Sequence, residues 1–252
     1  MRPVSRLGTV GDTFTTVSEA TGGRRERRKA RTRTEVRETA QRLFAERGFD
    51  AVTIADIAAS ADVAVQTVFN HFENKEALFF DGRTPWVDGA ATAVSQRPAG
   101  TDPVATLRHY LETDLRQLLE LELRPENRSY LEALSRSTSL RARERTLVEQ
   151  AGERVAAVLN EAVCAGDWPA APVPDPSTAH VLSRLVADLF LVAGRVLVLE
   201  NRRLALDPEP DGARHLSVQA ATGTTLAELE HCVAGLAARL LDPALDRGAD
   251  PA

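Results

Sequence analysis

Long apolar runs, cysteines and aromatic residues are scarce in this chain of 252 residues. Each scarcity argues against a particular class of protein. No apolar run exceeds five residues, whereas a membrane span needs ~18–20, so we predict no membrane segment. Two cysteines, Cys164 and Cys232, do not make a disulfide framework. Residues 1–23 lack the apolar core of a secretory signal. These absences predict a cytoplasmic protein with reduced thiols.

Signals for β-strands are also weak. Aromatic residues make up 5% of the chain, and β-branched residues rarely alternate with polar ones. Apolar residues recur instead at helical spacing, and at 43% of the chain they suffice for a sizeable core. The sequence therefore predicts an all-α fold.

Charge is distributed unevenly along the chain. The formal net charge is -5, yet residues 24–47 carry ten positive and four negative side chains, a local net charge of +6. Residues 82–252 carry 18 positive and 24 negative side chains, a net charge of −6. A basic N-terminal arm on an acidic body is typical of a protein that binds a polyanion. A solvated charged tail is the alternative that charge alone leaves open.

The sequence pattern after the basic N-terminal arm predicts four short helices. The first is predicted to begin at a capping box, Thr32–Glu35, and to end at Gly48. Thr53–Asp56 is a second capping box, a tight turn over 62–64 follows, and Asn74 is expected to cap the fourth helix. A tight turn between the second and third helices is typical of a helix-turn-helix arrangement.

The third helix has two chemically different faces. The buried face is predicted to comprise Val65, Val68, Phe69 and Phe72. The exposed face is predicted to comprise Gln66, Thr67, Asn70 and His71. The exposed set consists of short or flat hydrogen-bonding groups without a carboxylate, which suits base edges and phosphates. An ordinary amphipathic surface helix is the alternative.

Residues 34–81 resemble the DNA-binding region of the tetracycline-repressor (TetR) family of bacterial regulators. The matching segments are Ala40–Asp50, Val52–Ala58, Thr67–Phe72 and Asn74–Leu78, with no gap in their spacing. The resemblance implies a ligand-responsive repressor that binds a palindromic double-stranded DNA operator as a homodimer. The chain departs from the family pattern at Asp62, Ala64 and Phe69, where glycine, a hydroxyl cap and tyrosine are usual. Aspartate tolerates the left-handed backbone of the turn, so the turn is expected to persist.

The resemblance also implies roles for individual residues. Thr53, Thr67 and Lys75 would contact phosphates. Gln66, Asn70 and His71 would face the major groove, and Phe69 would pack beside them without donating to a phosphate. The basic arm would follow the DNA backbone or enter the minor groove, through Arg24, Arg25, Arg27, Arg28, Lys29, Arg31 and Arg33.

Longer helices are predicted after residue 82. Helix starts are expected at Asp102–Pro103, Asp175–Pro176 and the capping box Thr225–Glu228. The body of the protein is expected to hold about nine helices. The predicted domains are 1–23, a disordered extension; 24–82, the helix-turn-helix domain with its basic arm; 83–245, a helical ligand-binding and dimerisation domain; and 246–252, a tail.

Two of the predicted C-terminal helices carry more apolar surface than one core requires. The resemblance implies that these helices pair with their symmetry mates. The predicted dimer interface comprises Leu185, Leu189, Val196, Leu229, Val233, Leu236 and Leu240. A core entirely within one chain is the alternative.

The sequence indicates no cofactor, no metal and no enzymatic activity, although an unknown small-molecule effector is compatible with it. The histidines lack metal-ligand spacing, and neither a glycine-rich phosphate loop nor a nucleophile elbow is present. Candidate pocket residues are His109, Tyr110, Tyr130 and Phe190, each of which could equally serve core packing. A nonspecific architectural DNA binder that relies on the basic arm remains a rival interpretation.

Overall fold

The computed structural model describes residues 15–168, 174–207 and 212–240, and the regular structure within these ranges is entirely helical. The all-α prediction is confirmed. The chain divides into two compact units, Met1–Asp81 and Gly82–Ala252. Within the described ranges, no helix combines the length and the apolar character that membrane crossing requires. The predicted tail, 246–252, lies outside the described residues.

The first unit consists of four helices: α1 (Thr15–Arg47), α2 (Ile54–Ser60), α3 (Val65–Phe69) and α4 (Lys75–Phe80). The predicted start of the first helix at Thr32 is wrong, because α1 already begins at Thr15. Residues 15–23 are therefore helical and not part of a disordered extension. The carboxylate of Glu35 pairs with Arg31 one turn earlier, at 2.7 Å. This ion pair stabilises the interior of α1, at the position where the sequence predicted the start of a helix.

The predicted helix ends in this unit are otherwise confirmed. Gly48 ends α1 with a φ of +83°, and Asp62 takes the left-handed turn with a φ of +53°. The Thr53 hydroxyl accepts the Asp56 N–H at 3.1 Å, while the Asp56 carboxylate accepts the Thr53 N–H at 2.8 Å. Asn74 accepts the backbone N–H of Ala77 at 2.8 Å. These local contacts fix the ends of α1, α2 and α4.

A cluster of three phenylalanines holds the first unit together. Phe44 on α1, Phe49 in the following loop and Phe79 on α4 have ring centroids 5.2 to 5.9 Å apart. Helix α3 joins the core through Val68, and Phe72 just after the helix is also buried. Five residues are too few for a helix that is stable alone, so these two side chains determine where α3 lies.

The second unit contains seven α-helices within its described residues, fewer than the nine predicted. The last three helices of this unit are 27 to 30 residues long. The capping box predicted at Thr225–Glu228 is wrong, since these residues lie inside the last helix. The starts at Asp102 and Asp175 are confirmed, because both side chains cap the following backbone N–H groups. The helices are α5 (Pro85–Asp88), α6 (Ala90–Ser95), α7 (Pro103–Glu122), α8 (Arg128–Arg136), α9 (Thr138–Cys164), α10 (Pro176–Ala205) and α11 (Gly212–Leu240), with a 3-10 turn at Pro125–Asn127.

A buried ion-pair network links three helices of the second unit. Arg202 on α10 contacts Glu122 on α7 at 2.6 Å and Glu144 on α9 at 2.5 Å, and all three side chains are buried. Two carboxylates and one guanidinium leave this network with a formal charge of −1. Burial raises the pKa of Glu122, and the positive charge of Arg202 opposes that rise.

Arg202→Met should lower the free energy of unfolding by about 3–5 kcal/mol at neutral pH, because two buried carboxylates lose their cation. The neighbouring Arg203 is a matched control: it is 58% exposed and pairs with Glu200, so Arg203→Met should cost under about 1 kcal/mol. Denaturant titrations followed by circular dichroism measure the free energy of unfolding of both variants. The loss in Arg202→Met should shrink as the pH falls, since a raised pKa in the folded state lets the native protein bind protons first. Equal losses in the two variants would contradict the role of the network.

Candidate nucleic-acid interface

A groove of about 540 Å³ lies between α1 and the segment that joins α2 to α3. One wall carries cations at positions 25, 28 and 29, with Thr32 one turn further along, so the spacing places all four on one face of α1. The other wall carries hydrogen-bonding side chains and Asp62, which leaves the lining with three cations and one carboxylate. The lining residues are Arg25, Arg28, Lys29, Thr32, Asp62, Val63, Thr67, Asn70 and His71.

The basic arm is helical, because residues 24–33 lie within α1. Arg24, Arg27 and Arg31 are exposed on α1 but do not line the groove. A helix holds its side chains at fixed spacing. Only the face of α1 that carries Arg25, Arg28 and Lys29 is therefore directed into the groove.

Two polar side chains of the α3 segment are exposed and contact each other. The side-chain amide of Gln66 donates to the carbonyl oxygen of the Asn70 side chain at 3.2 Å. Thr67 and His71 are half-buried at the edge of the same surface. Burial, followed by the positive charges of Arg33 and Lys29, lowers the pKa of His71 and so favours its neutral imidazole. This surface offers neutral donors and acceptors beside a cationic wall.

The spacing of Val65 and Phe69 predicted that both lie on the buried face of α3, and this prediction is wrong. Their exposed fractions are 42% and 47%. Helix α3 has only five residues and faces the core through Val68, with Phe72 just beyond it, so the apolar stripe is one residue wide. Val65 and Phe69 therefore share the exposed surface with Gln66 and Asn70.

Arg33, predicted as part of the DNA-binding arm, is held within the protein. Its guanidinium donates to the backbone carbonyl of His71 at 2.6 Å and pairs with Asp81 at 2.5 Å. The same group lies 4.3 Å from the centre of the Phe72 ring. These contacts join α1 to the residues just after α3 and just after α4, so Arg33 positions the helices.

Lys75 and Thr53, both predicted to bind phosphate, also make contacts within the protein. The Lys75 ammonium donates to the carbonyls of Phe49 and Val52 at 2.9 and 3.0 Å, which occupies two of its three donors. The Thr53 hydroxyl donates to the Asp56 carboxylate at 2.6 Å and so has no proton for a phosphate while the cap is intact. Lys75 thus bonds the loop between α1 and α2.

The pocket residues predicted in the second unit differ in their burial. His109 is exposed, Tyr110 is half-buried, and Tyr130 and Phe190 are buried, with Phe190 in the main core. A cavity of about 260 Å³ lies elsewhere in this unit, near the end of α7, and Glu122 is one of its lining residues. The others are Leu123, Arg124, Pro125, Arg128, Leu131 and Ala205. Among the described residues, no group of three or more histidine, cysteine or acidic side chains is placed to hold a metal ion.

Helix α10 carries an exposed apolar stripe along its length. Its members recur every three or four residues and so share one face: Val181, Leu185, Leu189, Val192, Val196 and Leu199. Of the other predicted interface positions, Leu229 and Leu236 are half-buried, and the side chain of Leu240 lies outside those described. Val233 is only 1% exposed and packs in the core of its own chain, so its assignment to the interface is corrected.

The exposed α3 surface, the tight turn before it and the cationic wall of α1 define a helix-turn-helix unit. Residues 36–81 match the family described as bacterial regulatory proteins, tetR family. The helix-turn-helix part of the chain is thus similar to the DNA-binding region of the TetR family.

The chain is similar to several known regulators. It is 32% identical over 97 residues to the HTH-type transcriptional regulator TcmR of Streptomyces glaucescens, a match that spans 38% of this chain and 43% of that protein. GusR of Salmonella enterica is 20% identical, with a TM-score of 0.43 over 80% of this chain and 96% of that one. NalD, the secondary repressor of the MexAB-OprM multidrug efflux pump in Pseudomonas aeruginosa, is 20% identical, with a TM-score of 0.47 over 81% and 97% of the two chains.

The groove predicts a difference between two adjacent arginines of α1. Arg28 lines the groove, whereas Arg27 is exposed outside its lining. Arg28→Gln should weaken binding to any DNA duplex and should lower the slope of log affinity against log salt by about 0.9, because one phosphate contact is lost. Arg27→Gln should change the slope by less. Fluorescence anisotropy across a salt series measures both slopes, and identical slopes would remove the groove from the interface.

Proposed function

We propose that the protein is a sequence-specific transcriptional repressor that binds a palindromic operator as a homodimer and responds to a small-molecule ligand. The observation that carries this proposal is the exposed surface of α3 beside the cationic wall of α1. The match of residues 36–81 to the tetR family supports a regulatory role, and so does the sequence similarity to TcmR, a transcriptional regulator.

The α3 surface suits direct recognition of bases. The side-chain amides of Gln66 and Asn70 can each offer a donor and an acceptor to the major-groove edge of adenine. Their mutual hydrogen bond restrains both side chains before DNA arrives, which lowers the ordering cost of binding. Arg25, Arg28 and Lys29 supply the phosphate contacts that fix the position of the helix on the duplex.

The α10 stripe supports a homodimer. Six large apolar side chains are exposed in one contiguous row, whereas an ordinary surface has such residues scattered singly. Contiguous apolar patches mark interaction sites. A two-fold axis would place the same stripe of a second copy against it. Two α3 helices ~34–36 Å apart would then meet successive major grooves, which makes the operator palindromic.

The cavity at the end of α7 supports ligand response. Glu122 both lines this cavity and belongs to the buried network that joins α7, α9 and α10. A ligand with different affinities for two arrangements of these helices would shift the population between them. The α10 stripe would transmit that shift to the dimer, and hence to the spacing of the two α3 helices.

Selection of duplexes from a random pool tests the proposed recognition. The full chain should enrich an inverted repeat and bind it about a thousand-fold or more tighter than a scrambled duplex at the same salt concentration. Asn70→Ala should cost about 1–3 kcal/mol on the selected duplex and little on the scrambled one, since only base contacts are lost. Equal affinity for both duplexes would refute sequence-specific repression and favour an architectural role.

The α10 stripe predicts the effect of a charge at its centre. Val192 is 54% exposed within the stripe, and Val192→Glu should weaken dimerisation by about a hundred-fold or more, because two carboxylates would be buried at the two-fold axis. Leu121, which is 45% exposed but outside the stripe, is the control, and Leu121→Glu should leave the dimer intact. Analytical ultracentrifugation measures both. A wild-type chain that sediments as a monomer at micromolar concentration would contradict the dimer.

A further inference from the structure

The exposed face of α3 contains an apolar pair that the polar interpretation of this helix does not explain. Val65 and Phe69 lie one turn apart and are 42% and 47% exposed, although both residue types favour burial. They are interleaved in the sequence with Gln66 and Asn70, whose amides are bonded to each other. The fold thus places two apolar side chains where base recognition is proposed.

We infer that Val65 and Phe69 select thymine by packing against its C5-methyl group. This inference rests on the proposed DNA-binding function and specifies what the α3 surface recognises. The thymine methyl is the apolar feature that distinguishes base pairs in the major groove, and apolar side chains such as phenylalanine contact it. Phe69 has no hydroxyl to donate to a phosphate, so its ring contributes apolar contact only.

The arrangement of the four side chains favours recognition of A·T pairs. In an A·T pair, the adenine edge that suits an amide and the thymine methyl that suits an aromatic ring face the same groove. The amides of Gln66 and Asn70 and the apolar pair lie within six consecutive residues, on α3 and the residue that follows it. One short helix can therefore recognise both members of the pair.

Two other roles for the apolar pair fit the structure less well. A core role is excluded by the exposed fractions of both side chains. A binding site for another protein needs an apolar centre within an interface of about 800 Å² per partner. Two exposed side chains provide no such centre, whereas the cationic groove of the same unit is complementary to DNA in charge.

Deoxyuridine tests the inference because it differs from thymidine only in lacking the methyl group. In the selected duplex, each thymine of the half-site is replaced by deoxyuridine, symmetrically in both halves. For the wild-type full chain, at least one position should lose about four-fold in affinity per half-site, which corresponds to one methyl group no longer buried.

The variants separate methyl recognition from general weakening. Phe69→Ala should bind the thymine duplex less tightly and should bind the thymine and deoxyuridine duplexes within two-fold of each other. Phe69→Tyr keeps the ring and should keep the discrimination. The control Leu121→Ala truncates an exposed apolar residue of the second unit and should behave like wild type. A melting curve of each variant confirms that its fold is intact.

The outcomes distinguish this inference from the proposed function. If the selected duplex binds specifically but deoxyuridine has no effect at any position, or has the same effect in wild type and Phe69→Ala, methyl recognition is refuted and sequence-specific binding stands. If no duplex is preferred over another, both the function and the inference fail.

Discussion

The anchoring of α3 by Val68 and Phe72 is the constraint on which the rest of the first unit depends. A helix of five residues has no stability of its own, so buried contacts at one side fix its orientation and expose the opposite side. Arg33 strengthens this anchoring, because it bonds the backbone of His71 and the carboxylate of Asp81 at the same time. The polar and apolar groups available to DNA follow from this geometry.

The cations near α3 have two separate tasks. Arg33 and Lys75 bond carbonyls and a carboxylate within the protein and therefore stabilise the arrangement of helices. Arg25, Arg28 and Lys29 lie in the groove, where their charge is available to an anion. A net charge counted along the sequence does not separate these tasks, because Arg33 occurs in the same basic segment as Arg25, Arg28 and Lys29.

Features set by neighbouring residues could be predicted from the sequence, whereas features set by distant ones could not. The caps at Thr53, Asn74 and Asp102 involve partners two or three residues away, so their motifs were sufficient. The start of α1 was missed because a capping motif also fits inside a longer helix. The same ambiguity displaced the start of α11.

The errors at the candidate site have a related physical cause. The contacts of Arg33 join residues 38 and 48 positions apart, and no local pattern encodes such a pair. Helical periodicity placed Phe69 in the core, but the width of the buried stripe depends on which helices pack against α3. The error at Val233 arose because an apolar stripe in the sequence does not show whether it packs against its own chain or against a second copy. Val233 packs in the core of its own chain.

The most direct test of the account is a structure of the full chain bound to its selected duplex. We predict that Gln66 and Asn70 lie within hydrogen-bond distance of base edges in the major groove, and that Arg25, Arg28 and Lys29 lie against phosphates. A complex in which α3 faces solvent while the duplex contacts another surface would contradict the central claim.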